Sequence, residues 1–311
     1  MFKIVTQINK KNLIILIIFG LLFISINFLY LNSLLNEEIS VDSSYFLCLT
    51  EKINEGYVLY KDLNTLYTPM FFLIVSKIKY FFDIEKNYTA NLVIIYIFQI
   101  INFVLVFFLS RKYHLNKILS LFSALIFLIF SLAISRLEFK LEYCVNTFGL
   151  LSLIILNKNS LLKVTISGVL MAICFLTKQY GLGYFGLGFV YLLLQKGSFK
   201  NYIFYVIGFI VPLFIFNILY PEFLDLFINI EYSNDPNKNK GWVSFILDNF
   251  KQFIFAFLHL LRVFPIIFFS FLIHLISRNK DKYSWLLLIG IIGFLLQFFI
   301  APLYYYYLLV I

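Results

Sequence analysis

Apolar runs long enough to cross a bilayer recur along this chain, and they constrain its fold more than any other feature. A spanning helix needs about 20 mostly apolar residues, with a range of about 17–25. Such runs lie near 13–32, 91–110, 118–134, 143–157, 164–177, 181–195, 202–220, 253–277 and 283–300. The segment 301–311 opens a further run. In hydrocarbon every backbone amide must find its partner within the protein, so spans of this kind are helices. The expected architecture is an all-α polytopic membrane protein with nine to ten transmembrane helices in one domain, residues 1–311.

Composition agrees. The chain is 62% hydrophobic and 13% charged, with a mean hydropathy of +0.91. A soluble domain carries about 25% charged and about 45–50% apolar residues. The 40 phenylalanines and 22 tyrosines, with abundant Ile, Lys and Asn, fit AT-rich coding rather than an aromatic-binding function. Cys48, Cys144 and Cys174 are scattered and imply neither a disulfide framework nor a metal site. The first run is longer than the core of a secretion signal and has no small-x-small cleavage site after it.

The formal charge of +9 reflects topology rather than nucleic-acid binding. With a cytoplasmic N-terminus, the inner segments hold Lys3, Lys10, Lys11, Arg111, Lys112, Lys117, Lys158, Lys163, Lys196, Lys200, Arg278, Lys280 and Lys282. Asp281 is the one acid among them. This is the positive-inside pattern. It places the protein in the plasma or inner membrane, with the remaining acids on the extracytoplasmic side. The outer segments are 33–90, 135–142, a turn at 177–180, and 221–252.

The first outer loop is long and acidic. Asp42, Ser43 and Ser44 precede a helix expected over 45–54, with Asp42 as N-cap and Gly56 as C-terminal stop. Residues 70–82 read as a second interfacial helix, with aromatics toward lipid and Lys77 and Lys79 snorkelling. Pro69 stands just ahead of it, where a proline is tolerated. Farther on, Arg262 falls inside an apolar run with His259 three residues before it. An arginine within the membrane costs at least about 2.5–3.5 kcal/mol and faces a partner or cavity. Arg262 is therefore expected to meet a lipid phosphate or an internal acid, with His259 as a neutral partner. The alternative is snorkelling at the interface.

Several of these stretches resemble the GT-C glycosyltransferases, in particular the bacterial branch of protein O-mannosyl and aminoarabinose transferases. The likeness is carried by Asp42, Tyr45, Gly56, Tyr60-Lys61-Asp62 and Pro69 in the first loop. Glu142 at the head of a middle span, the Thr177-Lys178-Gln179 turn, and Pro302 with the tyrosines after it also contribute. Two departures stand out: Ser43 replaces a frequent second acid, and Thr68 replaces a frequent first proline. Members of the family are commonly longer, so the chain is expected to be a fragment or a degenerate copy, which bears on whether it is active.

The resemblance implies an inverting transfer from a polyprenyl-phosphate sugar to a lipid, glycan or protein acceptor on the outer face. Asp42 is then the general base, and a helix cap is its alternative role. Asp62 and Glu142 are candidates for holding the acceptor or for a second acidic role, with a solvated loop acid as the alternative for each and Glu138 competing for the place of Glu142. Lys178, Arg262 and Arg136, with Lys140, are candidates for the donor phosphate, with snorkelling at the interface as the alternative for Lys178, and His259 supports Arg262. No cofactor beyond the lipid-linked donor is implied. No Walker loop, GxGxxG, HExxH or Cys/His cluster occurs in the sequence, and no divalent metal is indicated. Two other classes share the compartment. A surface-polysaccharide polymerase or ligase would carry arginines in a large late loop, and 221–252 has none. A lipid-linked-glycan transporter would show repeated halves, and no repeat is evident.

Overall fold

Lys112, at the end of one long helix, donates its ammonium to three carbonyls at the end of another. Contacts of this kind define the two ends of the bundle. The computed structural model describes residues 23–25, 28, 40–63, 65, 67–83, 88–112, 116–135, 139–178 and 181–223. Among them, eight helices follow in order: α1 (Val41–Asn54), α2 (Met70–Phe82), α3 (Tyr88–Lys112), α4 (Lys117–Ser135), α5 (Glu142–Ile155), α6 (Leu161–Thr177), α7 (Gly181–Leu194) and α8 (Phe199–Leu219). The expected runs between 91 and 220 coincide with α3–α8 to within a few residues. The runs near 253–277 and 283–300, and nearly all of 13–32, lie outside the described residues.

Two helices are long and apolar enough to cross a membrane, Asn91–Lys112 and Phe199–Leu219. Only 39% and 22% of their most apolar windows are buried in the protein. A soluble core helix would hide such a surface. Here Val93, Ile97, Ile101, Val104 and Phe108 stay exposed along one stripe of α3, at the spacing of a single helix face. The helices α4–α7 are apolar but shorter.

Helix α6 sits at the centre, packed against α5, α7, α8 and the loop helix α2, while α3 joins α4 to α5. The α6–α8 seam depends on glycine. A side chain at Gly168 would strike the Tyr205 carbonyl oxygen, and one at Gly208 would strike the Thr165 carbonyl. Small residues at such a seam let two backbones approach closely, which favours helix association in lipid. Hydrogen bonds add to this. Ser152 Oγ on α5 donates to the Ser167 carbonyl on α6 at 2.8 Å. Asn102 Nδ2 on α3 donates to the Tyr143 carbonyl at 2.8 Å, and Thr147 Oγ1 to Asn102 Oδ1 at 2.7 Å.

The end contacts fix an alternating up-and-down order. Lys112 Nζ donates to the carbonyls of Leu153, Ile154 and Leu156 at 2.8, 3.1 and 2.6 Å, where a helix C-terminus attracts a cation. Lys158 Nζ donates to the Gln195 carbonyl at 2.7 Å, and Asn201 Nδ2 to the Lys158 carbonyl at 2.9 Å. The termini of α3, α5, α6, α7 and α8 therefore meet at one basic end. The first loop lies over the opposite end.

Candidate functional site at the acidic end of the bundle

The turn at 156–160 makes α5 and α6 an antiparallel hairpin, which brings the first residue of α5 beside the residue that caps α6. These are Glu142 and Lys178. Nζ of Lys178 lies 2.5 Å from Oε1 of Glu142, with side-chain exposures of 9% and 5%. Each charge suits its helix end, a carboxylate at an N-terminus and an ammonium at a C-terminus. One turn along α5, Asn146 Oδ1 accepts from the Tyr184 hydroxyl of α7 at 2.9 Å. The acid and the lysine of two separate sequence motifs thus form one buried polar cluster.

The first loop closes onto this cluster. Helix α1 starts at Val41, capped by Ser40, whose hydroxyl accepts from the Ser43 N–H at 3.2 Å. Ser43 is buried, and its Oγ accepts from the Phe139 N–H at 3.2 Å. Phe139 lies three residues ahead of Glu142, so the first turn of α1 is fastened to the approach to the ion pair. The Phe71 and Phe139 rings pack edge to face with centroids 5.3 Å apart. Phe46, Phe72, Leu141 and Leu176 complete a core between the loop helices and the bundle.

This geometry corrects several sequence expectations. Asp42 is not the N-cap. It stands exposed in the first turn of α1, and Ser40 makes the cap. A helix start four residues earlier than expected puts Ser43, a departure from the family pattern, in the buried bridging position. Lys79 does not snorkel. It is 3% exposed and pairs with Glu51 of α1 at 3.5 Å, tying the two loop helices together. The aromatics of α2 divide: Phe71 and Phe72 are buried, whereas Tyr80, Phe81 and Phe82 are exposed.

Other expectations hold at the level of local structure. Gly56 has φ +98° and terminates α1. Its N–H bonds to the Ile53 carbonyl and that of Tyr57 to the Lys52 carbonyl, both at 3.1 Å, which is the Schellman arrangement. Asp62 is used within the loop: Oδ2 accepts from the Val58 N–H at 2.8 Å, and its own N–H returns to the Val58 carbonyl at 2.9 Å. That clasp holds Tyr60 at φ 69°, left-handed for a bulky residue and therefore strained. Tyr60 is buried, with its ring 5.3 Å from Phe223 and 6.5 Å from Tyr220 beyond α8. Its hydroxyl donates to the Tyr67 carbonyl at 2.9 Å. Burial pushes the hydroxyl pKa well above the ordinary tyrosine value.

Of the expected site residues, the structure joins Glu142 to Lys178 and sets the helix turn bearing Asp42 against the segment leading to them. Asp62 serves its own turn. Arg136, Glu138, His259 and Arg262 lie outside the described residues. The bridging role of Ser43, the buried left-handed setting of Tyr60 and the Glu51–Lys79 pair are not legible in the sequence. A left-handed tyrosine carries no local signal, and Ser43 and Lys79 find partners distant in sequence.

No protein-family model matches the chain, and no curated protein or solved structure matches it significantly.

Proposed function

We propose that the chain is a GT-C-like membrane glycosyltransferase of nine to ten spans, working at the extracytoplasmic face with a cytoplasmic N-terminus. The reading rests on the family resemblance of its short motifs. The observation that carries it is the hydrogen bond from the Phe139 N–H to Ser43 Oγ, between residues 96 positions apart. It unites the Asp42 turn with the Glu142 and Lys178 motifs at one end of the bundle. Helices α5 and α7 have 14 residues and extend about 21 Å, less than a bilayer core of about 30 Å. On this reading their flanking turns complete the crossing.

In the proposed reaction an acceptor hydroxyl or amine attacks the anomeric carbon of a polyprenyl-phosphate sugar. The bond from that carbon to the phosphate oxygen breaks, its electron pair leaves with the lipid phosphate, and configuration inverts. Asp42, exposed at the loop surface, takes the acceptor proton, a contribution of about 10²–10⁴-fold. Glu142 and Lys178 hold the floor of the site. Lys178 reaches a phosphate only by loosening its bond to Glu142, so Lys140, Arg136 and Arg262 share the task of stabilising the leaving group.

The test supplies labelled polyprenyl-phosphate sugar to membranes containing the protein and measures transfer. Asp42→Asn is expected to abolish transfer at normal expression. Full activity in that variant would remove Asp42 as the base, and no transfer by the wild-type chain from any such donor would remove the enzyme reading.

A further inference from the structure

Charge divides sharply between the two ends of the bundle. Every acid among the described residues, Asp42, Glu51, Glu55, Asp62, Asp83, Glu142 and Glu222, belongs to the first loop or to the helix ends beneath it. Among the described residues, the charged groups at the opposite end are all cations. Two of these are used to fasten helices together: Lys112 on the end of α5 and Lys158 on the end of α7. Lys163, Lys196 and Lys200 are exposed around the starts of α6 and α8, and no described acid lies at that end to neutralise them.

A second pattern accompanies the charge. Each of these lysines has a large exposed apolar neighbour: Leu162 (69% exposed) beside Lys163, Leu193 (51%) one turn before Lys196, and Phe199 (77%) beside Lys200. A solvated loop has no use for such side chains. Apolar groups paired with lysines suit the boundary where acyl chains meet headgroups, because the apolar side chain enters hydrocarbon while the ammonium reaches the phosphate layer.

We propose that this end of the bundle docks on anionic phospholipid headgroups, with Lys163, Lys196 and Lys200 as the contact residues and Leu162, Leu193 and Phe199 as their apolar anchors. The surface lies at the opposite end from the Glu142–Lys178 cluster and does not depend on the glycosyltransferase reading. Each lysine near an anionic surface contributes about fivefold in local lipid preference, and the effect is screened by salt.

The experiment reconstitutes the full chain in nanodiscs of equal phosphatidylglycerol and phosphatidylcholine, strips loosely held lipid, and identifies what remains by mass spectrometry. Wild-type protein is expected to retain phosphatidylglycerol above its bulk share. Lys163→Gln, Lys196→Gln and Lys200→Gln should each lower the enrichment, and their combination should abolish it. Lys61→Gln with Lys77→Gln, at the opposite end, should leave it unchanged. Continued protection of the buried Cys144 and Cys174 from a maleimide shows that a variant is folded, and the single variants serve if the triple is not. Equal retention of both lipids by the wild type, or enrichment persisting through the lysine variants, would overturn the proposal. So would displacement of the lipid by inorganic phosphate at constant ionic strength, which would indicate a small-anion site.

Discussion

Lys178 and Glu142 stand 36 residues apart in sequence and meet as a buried ion pair, with Nζ 2.5 Å from Oε1. Removing one partner leaves the other charge buried without its counterion, which costs about 3–5 kcal/mol, whereas removing both can be nearly neutral. Glu142→Gln and Lys178→Met are each expected to lower the unfolding temperature in detergent substantially, and the double variant to regain most of the loss. A double-mutant cycle measures this coupling directly. The exposed pair Lys52–Glu55, at 3.1 Å with both side chains 39% accessible, is the internal control: Lys52→Gln should leave the unfolding temperature unchanged.

The seam between α6 and α8 gives a steric prediction. A Cβ at Gly168 or Gly208 meets backbone carbonyl of the facing helix, and neither backbone can yield without separating the pair. Gly168→Ala and Gly208→Ala should each cost about 1–3 kcal/mol, the usual range for overpacking. Gly186 on α7 is exposed and has nothing within 4 Å of its would-be Cβ. Gly186→Ala should be neutral or gain about 0.5–1 kcal/mol from helix propensity. Unfolding curves of the three variants decide the matter, and equal effects would contradict the close α6–α8 approach.

What the sequence disclosed followed from local physics. Apolar run length located α3–α8, because hydrocarbon burial needs no specific partner. Gly56 marked the end of α1, because only glycine takes φ +98° without cost. The start of α1 was misread because Ser40 and Asp42 are equally good caps. The choice between them comes from the hydrogen bond that buried Ser43 Oγ accepts from the Phe139 N–H. Lys79 looked like a snorkelling residue because nothing nearby in sequence names Glu51 as its partner, 28 residues away. The Glu142–Lys178 pair had the same cause: both residues were singled out, but only the hairpin fold makes them one site.

Tyr60 links the first loop to the end of α8, and its titration should be felt there. Its hydroxyl is neutral in the buried site and its pKa is raised by burial, while an unfolded tyrosine titrates near about 10. The neutral form is therefore favoured by folding. Its stabilisation is fully present below about pH 10 and is lost as pH rises above that toward the folded value. Tyr60→Phe removes the donor to the Tyr67 carbonyl, a loss of about 1 kcal/mol, and should flatten the alkaline decline. Stability profiles of wild type and variant through the alkaline range test both parts. Parallel declines would show that Tyr60 is not the group responsible.

The three cysteines provide a chemical reading of topology. Cys48 is exposed on α1, whereas Cys144 and Cys174 are buried in α5 and α6. A membrane-impermeant maleimide should therefore react with native protein at Cys48, with all three thiols reacting only after denaturation. If the loop faces the exterior, as the charge distribution implies, intact cells should be labelled and Cys48→Ser should abolish the label. Inside-out vesicles should remain unlabelled until permeabilised. The reverse pattern would place the first loop and the Glu142–Lys178 cluster on the cytoplasmic side. That result would exclude an extracytoplasmic transferase while leaving the packing of the bundle untouched.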